Sequence, residues 1–239
     1  MKSLLLLFKF AKLGKLLTTG GSMLLSVIAY SFVYGWRYAA GFVALLFVHE
    51  LGHYAAARQK GLDVGAPAFI PFVGAWIAMK EMPKDVETEA YVGMAGPFVG
   101  TLAALACYYL ARATGSSLLL ALSYAGFFLN LFNLIPLSPL DGGRITAILS
   151  PRIWFAGVPV LLLLFFWHPS PMLILIGVLA LPQLAAAWKY DPADPEHAAY
   201  YNVSQESRVT YAITYIGLVV FLSLMTYELH NMLGSGLRF

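Results

Sequence analysis

The stretch FVHELGHYAAAR, residues 47–58, belongs to a strongly apolar segment that runs from Tyr38 to Ala57. Because about 20 apolar residues cross a bilayer as a helix, this segment predicts a membrane-spanning helix. His49 and His53 are four residues apart, so on a helix they share a face and both imidazoles can reach one ion. Glu50 flanks that face, where it can accept a proton from a metal-bound water as a general base.

The composition of the whole chain also indicates a membrane protein. Of its 239 residues, 60% are hydrophobic and only 11% are charged, whereas soluble domains carry about 25% charged residues. So few charges cannot cover a water-facing surface, which excludes an ordinary soluble domain. Cys107 is the only cysteine, so no internal disulfide forms. The net charge of +3 is too small and too scattered to indicate nucleic-acid binding.

Apolar stretches predict an all-α polytopic membrane protein of about six or seven transmembrane helices. The predicted spans are Leu16–Trp36, Tyr38–Ala57, Ala90–Leu110, Ser117–Pro136, two within Ile145–Trp188, and Val209–Tyr227. A Pro-rich turn at residues 168–171 divides the fifth span from the sixth. We expect a single membrane-embedded domain over residues 1–239, with residues 41–144 as the core that carries the metal motifs.

The distribution of Lys and Arg predicts the orientation in the membrane. With the N-terminus in the cytoplasm, Arg37, Arg112 and Arg238 alone fall on the far side, and the other 12 of the 15 basic residues are cytoplasmic. This topology places the C-terminal ends of the second and fourth spans on the cytoplasmic side. Residues 1–16 are predicted to form a basic amphipathic helix on the membrane surface, with a solvated basic tail as the alternative.

Three segments between spans have distinct compositions. Val64–Met79 is apolar but broken by Gly and Pro, which favours a re-entrant or β-like segment over a spanning helix. Lys80–Glu89 and Asp191–Ser207 are polar and are predicted to be cytoplasmic loops.

Asp141, in LSPLDGG (residues 137–143), is the candidate third metal ligand. Catalytic zinc typically keeps three protein ligands and an open position for water. Prolines end the fourth span here, and Gly142 and Gly143 allow a tight turn that could bring the carboxylate toward the second span. The alternatives are a polar interfacial turn at LSPLDGG and hydrogen-bonded histidines buried between helices.

The two motifs together resemble the site-2 protease family of membrane metallopeptidases, peptidase family M50. The resemblance rests on HELGH (residues 49–53) and on Asn133, Pro136, Pro139 and LDGG (residues 140–143), and it covers about residues 41–144. It implies one zinc per chain held by His49, His53 and Asp141, with Glu50 activating a water. It also implies that Asn133 binds the substrate backbone or the developing oxyanion.

Two further features of the family resemblance concern the neighbourhood of the site. Val64–Met79 would present the substrate as an added strand. AGPFVG (residues 95–100) resembles the family's Gly-Pro motif, but Gly100 stands where many members have Asn. For Gly93, Gly96 and Gly100 we favour close helix packing over a polar role.

The expected function is intramembrane hydrolysis of peptide bonds in membrane-spanning proteins by a zinc-dependent metalloendopeptidase. The partners would be a transmembrane protein substrate and the lipid bilayer, and the location a cell membrane, with the active site open to the cytoplasm. A metal or proton transporter and a catalytically inactive protease-like binding protein are the alternatives. A transporter does not require a Glu directly after the first His, and an inactive relative usually lacks a ligand or the base.

Overall fold

A computed structural model describes residues 2–72, 74–79 and 83–234, with side chains from residue 18 onward except at 73–82. The helices are α1 (Lys2–Tyr34), α2 (Trp36–Gln59), α3 (Val86–Thr114), α4 (Ser117–Asn133), α5 (Asp141–Thr146), α6 (Gly157–Trp167), α7 (Pro171–Trp188), α8 (Pro195–Tyr200) and α9 (Gln205–Gly234). A 3-10 helix covers Pro151–Ala156, and the strands are β1 (Val64–Ile70) and β2 (Gly74–Met79).

The helices confirm a mostly helical membrane protein. Within the described residues, α2, α3, α7 and α9 are long and apolar enough to cross a bilayer. The helix α4 and the segment Pro151–Trp167 are apolar but shorter. A total of six or seven spans therefore stays a prediction.

Prolines and serine caps set the helix boundaries in the second half of the chain. The predicted break at residues 168–171 is present, because α6 ends at Trp167 and α7 begins at Pro171, with the Ser170 hydroxyl accepting from the Met172 amide. The predicted fifth span does not run unbroken from Ile145. Instead α5 ends at Thr146, and Pro151, which has no N–H to continue a helix, begins the 3-10 turn.

The segment Val64–Met79 is a two-stranded antiparallel hairpin, so its predicted β-like form is present, while its re-entrance into the membrane stays a prediction. The helix α1 contacts the outer edge of β1. Thr19 donates to the Pro67 carbonyl at 2.7 Å, and the Phe69 amide donates to the Ser22 hydroxyl at 3.1 Å. The basic side chains of residues 1–16 lie outside the described residues.

The packing of α3 against its neighbours organises the core. A Cβ added to Gly52 of α2 would lie 2.5 Å from the Ala95 carbonyl oxygen, so α2 and α3 approach at backbone distance. On its other sides α3 packs against α4, α5 and α9, and Phe127, Leu134 and Leu222 are fully buried in that part of the core. This arrangement places the HELGH segment of α2 opposite the first turn of α5.

Candidate metal centre

Three donor atoms from α2 and α5 converge on one point. The Nε2 atoms of His49 and His53 are 3.1 Å apart, and each lies 3.2 Å from Oδ2 of Asp141. All three residues are buried. Among the residues that the structure describes, they are the one group of His, Cys, Asp or Glu with the spacing of metal ligands. The structure therefore brings together the three residues that the sequence proposes as ligands.

Hydrogen bonds at the second nitrogen fix the tautomer of each imidazole. Nδ1 of His53 lies 2.7 Å from the Val92 carbonyl oxygen, which can only accept, so this nitrogen carries the proton. Nδ1 of His49 lies 2.8 Å from Oδ1 of Asn130, whose amide nitrogen donates to the Gly126 carbonyl at 2.7 Å. In the neutral form of both rings, Nε2 is thus the nitrogen with the free lone pair, and it faces the shared point.

This arrangement fits a zinc ion. Two imidazole nitrogens and a carboxylate oxygen are a donor set of catalytic zinc sites, and bonds of about 2.0–2.1 Å place tetrahedral ligand atoms about 3.3 Å apart. The three separations of 3.1–3.2 Å are close to that edge length. Three lone pairs at such distances repel one another unless a metal ion or a shared proton lies between them. Hydrogen bonding of the outer ring nitrogens also matches the support that metal-bound histidines receive.

The glycines of α3 make room for the side chains at this site. A Cβ at Gly96 would collide with the His53 imidazole, and a Cβ at Gly100 would collide with the Asn130 amide. At Gly93 the nearest atom would be Cβ of Arg144 at 3.1 Å. The expectation of close packing at these glycines is thus met, although much of the contact is with site side chains.

The turn that carries Asp141 is held by backbone contacts. Asp141 is the first residue of α5, and a Cβ on Gly142 or Gly143 would collide with the chain at Leu134–Ser138. The Trp154 indole donates to the Gly143 carbonyl at 2.8 Å. Neither glycine has a positive φ, so the turn does not depend on left-handed backbone at these positions. They are needed because the first turn of α5 packs directly on preceding backbone.

Glu50 lies beside the three donors without joining them. It follows His49 in α2 and is buried, with 9% of its surface exposed. Its carboxylate is within electrostatic range of both histidines, Asp141 and Arg144. A buried carboxylate in this place can accept a proton from a water at the site.

The two asparagines of α4 have different surroundings. Asn133, proposed from the sequence as a substrate-binding residue, is the half-buried last residue of α4. Asn130 is fully buried and bonds His49, a contact that the sequence reasoning missed. The available signal was an amide in the last turn of an otherwise apolar helix, where a polar side chain needs a partner.

Comparison with known proteins agrees with the motifs. Residues 37–116 match the profile of peptidase family M50. A zinc metalloprotease of Methanocaldococcus jannaschii is 38% identical over 118 residues, which cover 45% of this chain and 34% of that protein. A probable chloroplastic zinc metalloprotease of Arabidopsis thaliana is 37% identical over 67 residues, covering 26% of this chain and 12% of that protein.

A site-2 protease from Methanocaldococcus jannaschii is a structural match with a TM-score of 0.47 and 23% identity, covering 77% of this chain and 88% of that chain. The present chain spans about a third of the first curated relative. The family match and the two relatives confirm the resemblance to the site-2 protease family, peptidase family M50. The names of both relatives also agree with zinc as the metal that suits the His49–His53–Asp141 cluster.

Proposed function

We propose that this protein is an intramembrane zinc metalloendopeptidase whose metal ligands are His49, His53 and Asp141. One observation carries the proposal. The Nδ1 atoms of His49 and His53 bond to Asn130 and Val92, which leaves both Nε2 atoms facing Oδ2 of Asp141 at 3.2 Å each and 3.1 Å from each other. No contact in the described residues favours the transporter or the inactive binding protein.

Bound zinc supplies Lewis-acid chemistry and lowers the pKa of a coordinated water to about 7. Glu50 is the proposed general base, because it is buried next to both histidines and is not one of the three converging donors. It would accept the proton of the attacking water and return it to the leaving amine. Asn133 is the proposed contact for the substrate backbone or oxyanion, at the end of the helix that precedes the Asp141 turn.

The hairpin is the proposed site of substrate binding, because an unwound transmembrane segment has peptide groups that must be paired. The outer edge of β1 is contacted by Thr19 and Ser22 of α1. An added strand would therefore pair with β2. Pro67 and Phe69 direct their outer backbone groups to α1, so Ile77 and Ala75, which pair with them, direct theirs to the outer edge of β2.

The remaining proposals concern the setting of the site. The substrate would be a transmembrane protein in the lipid bilayer, and the active site would open toward the cytoplasm, as the distribution of Lys and Arg indicates. A cysteine introduced in the Lys80–Glu89 segment should react with a membrane-impermeant thiol reagent in inside-out vesicles. Its labelling in intact cells would contradict this orientation.

The function is tested by Glu50→Gln in the full chain, purified in detergent and incubated with a transmembrane peptide. The amide has nearly the same shape but cannot accept the proton, so zinc content should stay at about one per chain while cleavage is lost. Glu228→Gln, at an exposed position on α9, is the matched control and should cleave at the wild-type rate. Cleavage by Glu50→Gln at the wild-type rate would refute Glu50 as the base.

A further inference from the structure

The segment Tyr200–Arg208, which joins α8 to α9, contacts two elements that surround the metal centre; we call it the α8–α9 junction. On α3, Glu89 accepts from the Tyr200 hydroxyl at 2.6 Å and Glu87 accepts from Ser207 at 3.0 Å. The guanidinium of Arg208 donates to the carbonyls that follow α5, those of Ile148 and Leu149, at 2.7 Å each. The sequence alone marks most of this segment only as a polar loop.

Both α3 and α5 determine the position of proposed ligands. The Val92 carbonyl of α3 orients His53, and α5 begins with Asp141. The junction bonds to the N-terminal turn of α3 on one side and to the chain beyond α5 on the other. The junction therefore fixes the spacing between α3, which orients His53, and the turn that carries Asp141.

The side chain of Arg144 lies between α3 and the first residue of α5. Its Nε is 3.9 Å from Oε1 of Glu89, and its Nη1 is 3.9 Å from Oδ1 of Asp141. The other Asp141 oxygen, Oδ2, is the one that faces the histidines. Gly93 of α3 lets the stem of Arg144 pack closely, since a Cβ there would be 3.1 Å from Cβ of Arg144. The guanidinium of Arg144 thus lies between the Glu89 carboxylate and Oδ1 of Asp141, the oxygen that does not face the histidines.

We propose that Arg144 is a positioning residue for Asp141, and that the α8–α9 junction holds Arg144 in place through the Tyr200–Glu89 hydrogen bond. The inference rests on the proposed metal site. By attracting Oδ1, the guanidinium keeps the carboxylate turned so that Oδ2 alone points at the two Nε2 atoms. Tyr200 in turn fixes the Glu89 carboxylate against Arg144.

The Tyr200–Glu89 hydrogen bond is not lost through deprotonation of the tyrosine. Burial and the neighbouring Glu89 carboxylate raise the pKa of Tyr200 far above its ordinary value, so the hydroxyl remains a donor throughout the working pH range. The adjacent Tyr201 has a different role, because its carbonyl accepts from Arg208 at 2.8 Å and its ring contacts Tyr190. The two neighbouring tyrosines therefore form a matched pair for substitution.

The test is a chelator-buffered zinc titration of the full chain in detergent. Removing a residue that supports a metal ligand typically weakens metal binding about 10- to 100-fold, and Arg144→Gln should fall in that range. Arg144→Lys, which keeps the charge, should recover most of the affinity. Arg152→Gln is the control, since that arginine contacts Tyr190 instead, and it should bind zinc as the wild type does.

The junction is tested by Tyr200→Phe against Tyr201→Phe. We expect Tyr200→Phe to weaken zinc binding by less than Arg144→Gln does, and Tyr201→Phe to leave it unchanged. Because Tyr200 acts through Arg144, the double variant should bind zinc no more weakly than Arg144→Gln alone. The thermal midpoint of each metal-free variant is compared with that of the metal-free wild type. If Arg144→Gln does not fold, Arg144→Lys and Tyr200→Phe still test the proposal.

Wild-type zinc affinity in both Arg144→Gln and Tyr200→Phe would overturn this inference and leave the metal site intact. Additive losses in the double variant would separate Tyr200 from Arg144 and overturn the link to the junction. A wild-type protein that binds no zinc would instead refute the proposed function. The two failures are therefore distinguishable.

Discussion

Replacing Gly96 by alanine puts a methyl group where the His53 imidazole lies. An added Cβ would be 2.7 Å from Cδ2 of the ring and closer still to Cε1 and Nε2. The ring cannot move away freely, because its Nδ1 donates at 2.7 Å to the carbonyl of Val92, which lies on α3 as Gly96 does. The substitution must therefore either separate α3 from α2 or break that hydrogen bond.

Both ways of relieving the clash have similar costs. Overpacking a well-packed site costs about 1–3 kcal/mol, and leaving a buried hydrogen-bonding group without its partner also costs about 1–3 kcal/mol. If the strain is relieved when the metal leaves, that cost appears in the binding equilibrium, and zinc affinity falls roughly 5- to 150-fold. If it persists without the metal, the same cost appears as lower stability of the metal-free protein.

The measurement combines a chelator-buffered zinc titration with unfolding of the metal-free and zinc-loaded forms. Gly217→Ala on α9 is the matched control, because no heavy atom lies within 4 Å of its added Cβ, and it should change neither property for the worse. A Gly96→Ala protein with wild-type zinc affinity and wild-type stability would refute the close contact between α3 and His53 and the reasoning built on it.

Three further predictions concern the ligands, Asn130 and the hairpin. Wild-type protein should hold about one zinc per chain, as measured by mass spectrometry. The substitutions His49→Ala, His53→Ala and Asp141→Ala should each lower that metal content. Full zinc retention in Asp141→Ala would show that Asp141 is not a metal ligand. Asn130→Ala should weaken zinc binding about 10- to 100-fold. Adding Gly100→Asn should restore part of the loss, since a Cβ at Gly100 points into the space of the Asn130 amide. No recovery would show that an amide at position 100 does not replace the contact of Asn130 with His49. Ile77→Pro should slow peptide cleavage at unchanged zinc content, because it removes an N–H donor from the outer edge of β2. Trp76→Pro should instead disrupt the hairpin itself. Wild-type cleavage by Ile77→Pro would exclude strand addition at the outer edge of β2.

The sequence predicted the helical membrane fold because its signals are local. An apolar run long enough to cross a bilayer depends on composition within a single segment, and α2 and α3 enclose the predicted runs Tyr38–Ala57 and Ala90–Leu110. The boundaries were less accurate where prolines and caps act together. The fourth helix ends at Asn133 instead of Pro136, and the segment Asp191–Ser207 contains the short helix α8.

The candidate ligands could be read from the sequence for a similar reason. Spacing of i and i+4 puts His49 and His53 on one helical face whatever the rest of the chain does, and an Asp in a Pro- and Gly-rich turn is conspicuous in a chain with so few charges. Only the tertiary structure, however, brings Asp141 within 3.2 Å of both rings, since that contact closes a loop of 88 residues.

What supports the candidate ligands was decided by the tertiary structure alone. Asn130 meets His49 across 81 residues of chain, and Tyr200 meets Glu89 across 111. An amide in an apolar helix indicates that a partner is needed, but no local pattern shows which residue that partner is, because it lies on another helix. The backbone carbonyl that orients His53 cannot be recognised from the sequence, because every residue has a backbone carbonyl. The sequence determined which groups could bind a metal; the packing of α3 between α2, α4 and α5 determined how they are held.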